Sequence, residues 1–235
     1  MAALEFPSLV RGCFQKRLNR FLAEVEIAGQ VERCHVKNTG RLAELLRPGA
    51  EVWCECHDDP NRKTKFSLLL VRSGETLISI DSQAPNRIAY GYALEGGLGF
   101  RPDSVRREVT RGDSRFDLCC TRGGQTVFTE VKGVTLVKEG VAMFPDAPTE
   151  RGAKHLRGLL QAVREGCEAS VLFVIQRTDV RAFMPNEAND PAFAAALRDA
   201  AAGGVKVLAV TCEVTEAGMK TAAPLPVRLG IKEYP

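Results

Sequence analysis

Two apolar runs in the middle of the chain face each other across a pair of glycines. This limits the fold more than any other feature. The first run reads Arg115-Phe116-Asp117-Leu118-Cys119-Cys120 and the second Val127-Phe128-Thr129-Glu130-Val131-Lys132, with Gly123-Gly124 between them. β-type residues on either side of Gly-Gly predict a hairpin, because tight two-residue turns need the positive φ that glycine adopts freely. Asp117 then sits on one strand, with Glu130 and Lys132 on its neighbour. Side chains two apart on a strand point the same way, so Glu130 and Lys132 share a face. Charged groups set into so apolar a strand either meet water or line a cleft.

A carboxylate from each of two strands, with a lysine beside them, outlines a hydrolytic metal centre. Asp117 and Glu130 supply the oxygen ligands that Mg²⁺ or Mn²⁺ prefers. A metal there activates water and stabilises charge on a phosphodiester, and Lys132 orients the water or neutralises the transition state. The order D…E-x-K is the core of the PD-(D/E)xK nuclease pattern. Glu108, within Val105-Arg106-Arg107-Glu108-Val109 on the preceding strand, is a candidate third carboxylate. Plainer alternatives stand beside these. Acid-x-Lys patterns also serve as solvated faces or cross-strand ion pairs, and Glu108 also suits a surface position beside two arginines.

The chain has 235 residues, enough for one large domain or two small ones. Its 45% hydrophobic and 26% charged content is ordinary for a globular protein and argues against disordered or fibrous classes. No apolar stretch approaches the roughly eighteen residues of a membrane helix, and the first residues lack the basic and apolar regions of a secretory signal. A cytoplasmic protein with no membrane partner is expected. None of the eight cysteines forms a C-x-x-C pair, and most lie in apolar strand-like runs, which suits reduced thiols used as small core residues. Cys54-x-Cys56-His57 has the wrong spacing for the usual zinc finger or ribbon. Residues 101–164 hold 12 Lys/Arg against 8 Asp/Glu, and residues 1–80 hold 12 against 10. A basic excess in both regions allows a polyanionic partner.

Residues 1–81 read as all-β. Candidate strands cover 12–27, 30–36, 50–55, 65–72 and 76–80, separated by turn-formers such as Arg47-Pro48-Gly49 and Asp58-Asp59-Pro60-Asn61. Five strands, the first long and bent, suggest a small closed barrel of the oligonucleotide-binding (OB) type. Trp53 suits the core, with stacking on a base as the alternative. Residues 82–94 look helical and lead into a second domain, 82–235. There, strands at 105–111, 115–121 and 126–134 are followed by a loop at 137–148. A helix at 149–165 is capped by Thr149, with Leu156, Leu159, Leu160 and Val163 as its core stripe. A buried strand at 169–176, a helix from Asp190-Pro191 to Ala202 and a strand at 205–214 complete the order. The expected class is mixed α/β, with a small OB-like barrel before a nuclease-like sheet flanked by helices.

Several basic residues are candidates for phosphate contacts. On the second helix these are Arg151, Lys154 and His155, read as sharing a face offset from the leucines, with His155 also a candidate general acid. In the barrel they are Arg17 and Arg20 on the first strand, near Arg11 and Lys16, and Asn38 and Arg41 in the loop after the second. An ordinary solvated surface is the alternative for each set.

The chain resembles the sugar fermentation stimulation protein family. The resemblance spans nearly the whole length. It rests on R20-F-L-A-E-V25, N38-T-G-R41, A84-P-N-R87, E108-V109, R115-F-D117, E130-V-K132, F144-P-D-A147 and T149-E-R-G-x-K-H-L156. One departure is Val36-Lys37 before Asn38, where the family often has Cys-Pro. The resemblance implies an OB-like domain followed by a nuclease-like domain, and DNA binding without sequence preference. It also implies a link, in name, to sugar metabolism. Nucleic acid, DNA foremost, is therefore the expected partner, and a homodimer is an open option. Two readings remain: a divalent-metal-dependent phosphodiesterase acting on nucleic acid, or a non-catalytic DNA-binding regulator of sugar-metabolism genes.

Overall fold

The structure, a computed structural model, describes residues 2–38 and 40–230. Thr39 of the Asn38–Arg41 motif lies outside the described residues. The chain runs through β1 (Ala3–Glu5), β2 (Leu9–Arg17), β3 (Leu22–Ile27), β4 (Gln30–Val36), β5 (Glu51–Cys56), β6 (Phe66–Ser73), β7 (Thr76–Ser79) and α1 (Ala84–Leu94). It continues with β8 (Ser104–Arg111), β9 (Ser114–Arg122), β10 (Gln125–Val134), β11 (Val137–Lys138), β12 (Val141–Phe144) and α2 (Glu150–Arg164). Last come β13 (Glu168–Ile175), β14 (Ala182–Pro185), α3 (Pro191–Ala202), β15 (Lys206–Thr215) and β16 (Gly218–Pro224).

The first sheet has the order β4-β3-β2-β5-β6-β7, and β4 also pairs in parallel with β6, closing five strands into a barrel. Closure removes the sheet edges that would otherwise be left unpaired. Its core holds Phe14, Val25, Val52, Leu68 and Ile78. Trp53 is buried, as expected, with Leu69 and Leu70 on the side that packs against Phe6 and Val214 of the second domain. The single long first strand expected at 12–27 is two strands. Asn19 turns the chain between them, its Oδ1 accepting the N–H groups of Phe21 at 2.8 Å and Leu22 at 3.1 Å. The turn contains neither glycine nor proline, so it left no strong mark in the sequence.

The second sheet is seven-stranded, in the order β1-β16-β15-β13-β10-β9-β8. Strands β10, β13 and β15 are parallel to one another and the outer pairs are antiparallel. Helix α1 covers one face through Ile88 and Ala89, and α2 and α3 cover the other through Leu156, Leu159, Phe193 and Leu197. The mixed α/β class with a leading OB-like barrel is thus observed. The boundary expected after residue 81 lies between β7 and α1. At the other end, Ala3–Glu5 pairs with β16, so the chain starts in the second sheet before it enters the barrel.

The Gly-Gly turn is a hairpin: Gly123 and Gly124 have φ of 54° and 81°, and Arg122 pairs with Gln125. Both predicted helix caps are formed, Thr149 Oγ1 accepting from Gly152 N and Asp190 Oδ1 from Phe193 N. The region expected as a loop at 137–148 instead contributes β11 and β12 to a three-stranded sheet with β14. The cysteines are free thiols, with Cys34, Cys54, Cys119, Cys120 and Cys212 buried. No helix among the described residues is long and apolar enough to cross a membrane.

Candidate metal and nucleic-acid site

The ladder between β9 and β10 runs to Leu118–Thr129 and stops. Past that point the strands part, and a side chain does the work of the main chain: Asp117 Oδ2 accepts the Val131 N–H at 2.7 Å. Its Oδ1 accepts the Asn86 amide, from the first turn of α1, at 2.9 Å. Phe116 lies in the core under α2, yet Leu118 lies in the core under α1. Residues two apart on a regular strand share a face, so β9 turns over at Asp117.

Glu130 sits on β10 between Phe128 and the alternating Lys132 and Val134, on the side facing α2. It is 2% exposed. Its Oε1 accepts from Lys132 Nζ at 2.6 Å and is hydrogen-bonded to His155 Nδ1 of α2. Its Oε2 is buried without a partner. Burial pushes the Glu130 carboxyl up, but the hydrogen bond from His155 and the charge of Lys132 outweigh it, holding the group below the ordinary value. Asp117 moves the other way: burial first, and then the nearby Glu130 charge, raise its pKa above the usual carboxylate value.

Two neighbouring carboxylates, one with an idle buried oxygen and one whose ionised form is disfavoured by the other, suit a bound cation. Mg²⁺-type ions are commonly held by one or two carboxylates and keep several waters. Among the described residues no group of three or more His, Cys, Asp or Glu side chains is arranged for a metal. Glu108 lines the same cleft as Asp117. Its carboxylate, however, is exposed and paired with Arg115, and its φ of 56° puts a non-glycine residue in the left-handed region, a local strain. The structure therefore assembles Asp117, Glu130 and Lys132 and leaves Glu108 to the rim.

Of the expected nucleic-acid contacts, Arg17 is already fully engaged. Its guanidinium donates to the carbonyls of Asn19, Arg20, Asn38, Gly40 and Arg41 at 2.6 to 3.2 Å. This clamps the 38–41 loop to the β2–β3 turn. Asn38 is structural too, donating to Ile80 O at 2.9 Å and accepting from Gly40 N at 2.8 Å. Arg20 and Arg41 remain exposed. On α2, Arg151 and Lys154 are exposed but His155 is buried, so the three do not share one open face. Position 155 is three after Gly152 and four before Leu159, which places it on the core stripe. That spacing was legible in the sequence.

Sequence reading missed the groove beside Asp117. Arg87, Arg106 and Arg107 line it with Asn86 and Glu108, in a cleft of about 740 Å³. All three arginines are exposed, and the Arg107 guanidinium lies 5.1 Å from the Tyr90 ring centre. The signal was Arg87 one position after Asn86 on α1, together with the Arg106-Arg107 pair on the strand facing Asp117.

Residues 16–80 match the family model described as SfsA N-terminal OB domain, and residues 83–218 match the sugar fermentation stimulation protein RE domain. A sugar fermentation stimulation protein homolog from Desulfitobacterium hafniense (strain Y51) is 48% identical over 226 residues, covering 96% of this chain and 99% of that protein. A homolog from Thermoanaerobacter sp. (strain X514) is 47% identical over 214 residues, covering 88% and 92%. The solved structure of Pyrococcus furiosus SfsA in complex with Ca²⁺ superposes with a TM-score of 0.87 at 28% identity, covering 97% of this chain and 99% of that one. By both domain matches and by identity across nearly its full length, the chain belongs to the sugar fermentation stimulation protein family.

Proposed function

We propose that the protein binds nucleic acid, DNA foremost, without sequence preference. In this reading Asp117 and Glu130 hold a divalent ion, Mg²⁺ or Mn²⁺, in a site competent for phosphodiester hydrolysis. The observation that carries this reading is the half-buried Asp117, which lines an arginine-lined groove, next to the buried Glu130, whose Oε1 lies 2.6 Å from Lys132 Nζ. The OB barrel and the Ca²⁺ bound by the Pyrococcus relative support it. A divalent ion, when bound, supplies charge neutralisation at the phosphodiester and water activation. The protein's own groups do the rest. Glu130 is kept ionised by Lys132 and oriented by His155, which is a positioning residue here. Lys132 offers a cationic donor beside the carboxylates, where charge develops on the phosphate oxygens. Arg87, Arg106 and Arg107 anchor the neighbouring phosphates. Arg151 lies one helical turn from His155, its Nε 3.4 Å from His155 Nε2, and adds an exposed cation near Glu130.

One observation favours the binding-only alternative, a regulator without turnover: Glu108 is turned to Arg115 and gives no third ligand. The two readings separate in one experiment. Purified protein is incubated with labelled DNA and RNA in Mn²⁺, Mg²⁺ or EDTA. Cleavage in metal and none in EDTA is the expected outcome. Intact strands in every metal, with retention on a gel, would leave only the binding function.

A further inference from the structure

Between the barrel and the second sheet lies a cleft of about 380 Å³, on the opposite side of Lys132 from the carboxylates in sequence, starting at Gly133. That volume is in the range of ligand pockets, roughly 300–1,000 Å³. Its apolar walls include Leu42, Val134, Leu136 and Phe144. One polar group in it is anomalous. Gln176 follows β13 and is 1% exposed. Its main chain is fully employed, the N–H donating to Val134 O at 2.9 Å and the carbonyl accepting from Ser79 N at 3.4 Å. Its side chain lines the cleft, and its Oε1 is buried with no hydrogen-bond partner. A buried, unsatisfied amide costs about 1–3 kcal/mol and calls for an explanation. Position 133 is glycine, which leaves the amide open to the cleft: a Cβ there would stand 3.4 Å from Gln176 Nε2 and 2.6 Å from Pro85 Cγ.

We infer that this cleft seats one unpaired nucleobase of the bound strand, read by the Gln176 amide. A carboxamide presents an acceptor and a donor side by side. Each of the four bases shows a matching adjacent donor and acceptor on its Watson–Crick edge, but only when unpaired. The amide therefore distinguishes an unpaired base from a paired or missing one, not one base from another, which fits binding without sequence preference. The apolar walls suit a flat ring, and Arg20, exposed and lining the same cleft, suits its phosphate. Asp146 also lines the cleft. It accepts the Arg41 N–H at 3.2 Å and makes the interior unfavourable for an anion, so the neutral base rather than the phosphate occupies it.

This inference rests on the nucleic-acid reading above, and the test separates the two. A labelled single strand of about twelve nucleotides is titrated by fluorescence anisotropy. The set also includes the same strand with an abasic site at each position in turn, and the blunt duplex. Wild type should lose about tenfold in affinity at one abasic position. Gln176→Leu should weaken the intact strand by the same factor, remove the abasic penalty and leave duplex binding unchanged. Ser82→Trp, a change at an exposed residue on the rim of the cleft, should do the same without touching the core. If the abasic scan is flat, or both variants behave as wild type while strands still bind, the cleft holds only water and the inference fails with the binding function intact. If wild type binds neither strand nor duplex, both fail.

Discussion

Two basic regions of the molecule end in opposite states. At the tip of the barrel, Arg17 spends its guanidinium on five carbonyls, and Arg11 and Lys16 are paired with Glu51 and Glu24. Beside Asp117, Arg87, Arg106 and Arg107 stand exposed along a cleft that ends at a carboxylate. Both parts of the chain carry a basic excess in sequence. The difference lies in what surrounds them: Arg17 meets the carbonyls of a turn and a loop, and Arg11 and Lys16 meet carboxylates, whereas the Arg107 guanidinium lies over the Tyr90 ring and stays exposed.

Mutations on each side separate the two regions. The largest effect is expected at Lys132, beside Glu130. Lys132→Met removes the amine and leaves both carboxylates, so cleavage should fall by a factor on the order of 10² or more while Mn²⁺ binding persists. A variant that still cleaves at the wild-type rate removes Lys132 from the chemistry. Next is the groove itself. The double change Arg106→Ala with Arg107→Ala should weaken DNA binding by about tenfold or more and reduce the salt slope of log K by about two. Arg17→Met should leave that slope unchanged and instead lower stability by about 2 kcal/mol in urea unfolding, since it frees a set of loop carbonyls. If the two results come out reversed, the barrel tip is the binding surface and the contrast is wrong. The smallest effect is a control outside both regions. Asp190 accepts from Phe193 N and, through Oδ2, from Thr149 N at 2.8 Å, tying the starts of α3 and α2 together. Asp190→Ala should cost about 1–2 kcal/mol with no change in nucleic-acid affinity.

Much of the fold could be read from local chemistry. Gly123-Gly124 announced the hairpin, Thr149 and Asp190 announced their helices, and the all-β pattern of residues 1–81 announced the barrel, although the segment 12–27 supplies two of its five strands and 76–79 lies outside the closure. What escaped was set by contacts distant in the chain. Ala3–Glu5 is too short to read as a strand and exists because Lys220, Met219 and Gly218 pair with it. Strands β11, β12 and β14 are two to four residues each and form only as a set. Within the candidate site, the shared face of Glu130 and Lys132 was legible from strand periodicity, whereas the place of Asp117 is set past the end of the hairpin ladder by its bonds to Val131 and Asn86. His155 stands next to Lys154 in sequence, but its four-residue spacing from Leu159 puts it on the core stripe. Gln176 could not be recognised at all, since an idle amide shows only when its surroundings are known.

Titration calorimetry with Mn²⁺ decides whether Asp117 and Glu130 together hold a divalent ion. Wild type should bind one ion, and Asp117→Asn should lose that binding while remaining folded. The affinity should also weaken as pH is lowered. Asp117 titrates above the usual carboxylate value because of burial and the Glu130 charge, so protons compete for it before they compete for an ordinary aspartate. Equal Mn²⁺ binding by wild type and Asp117→Asn, or an affinity indifferent to acid, would show that Asp117 holds no ion.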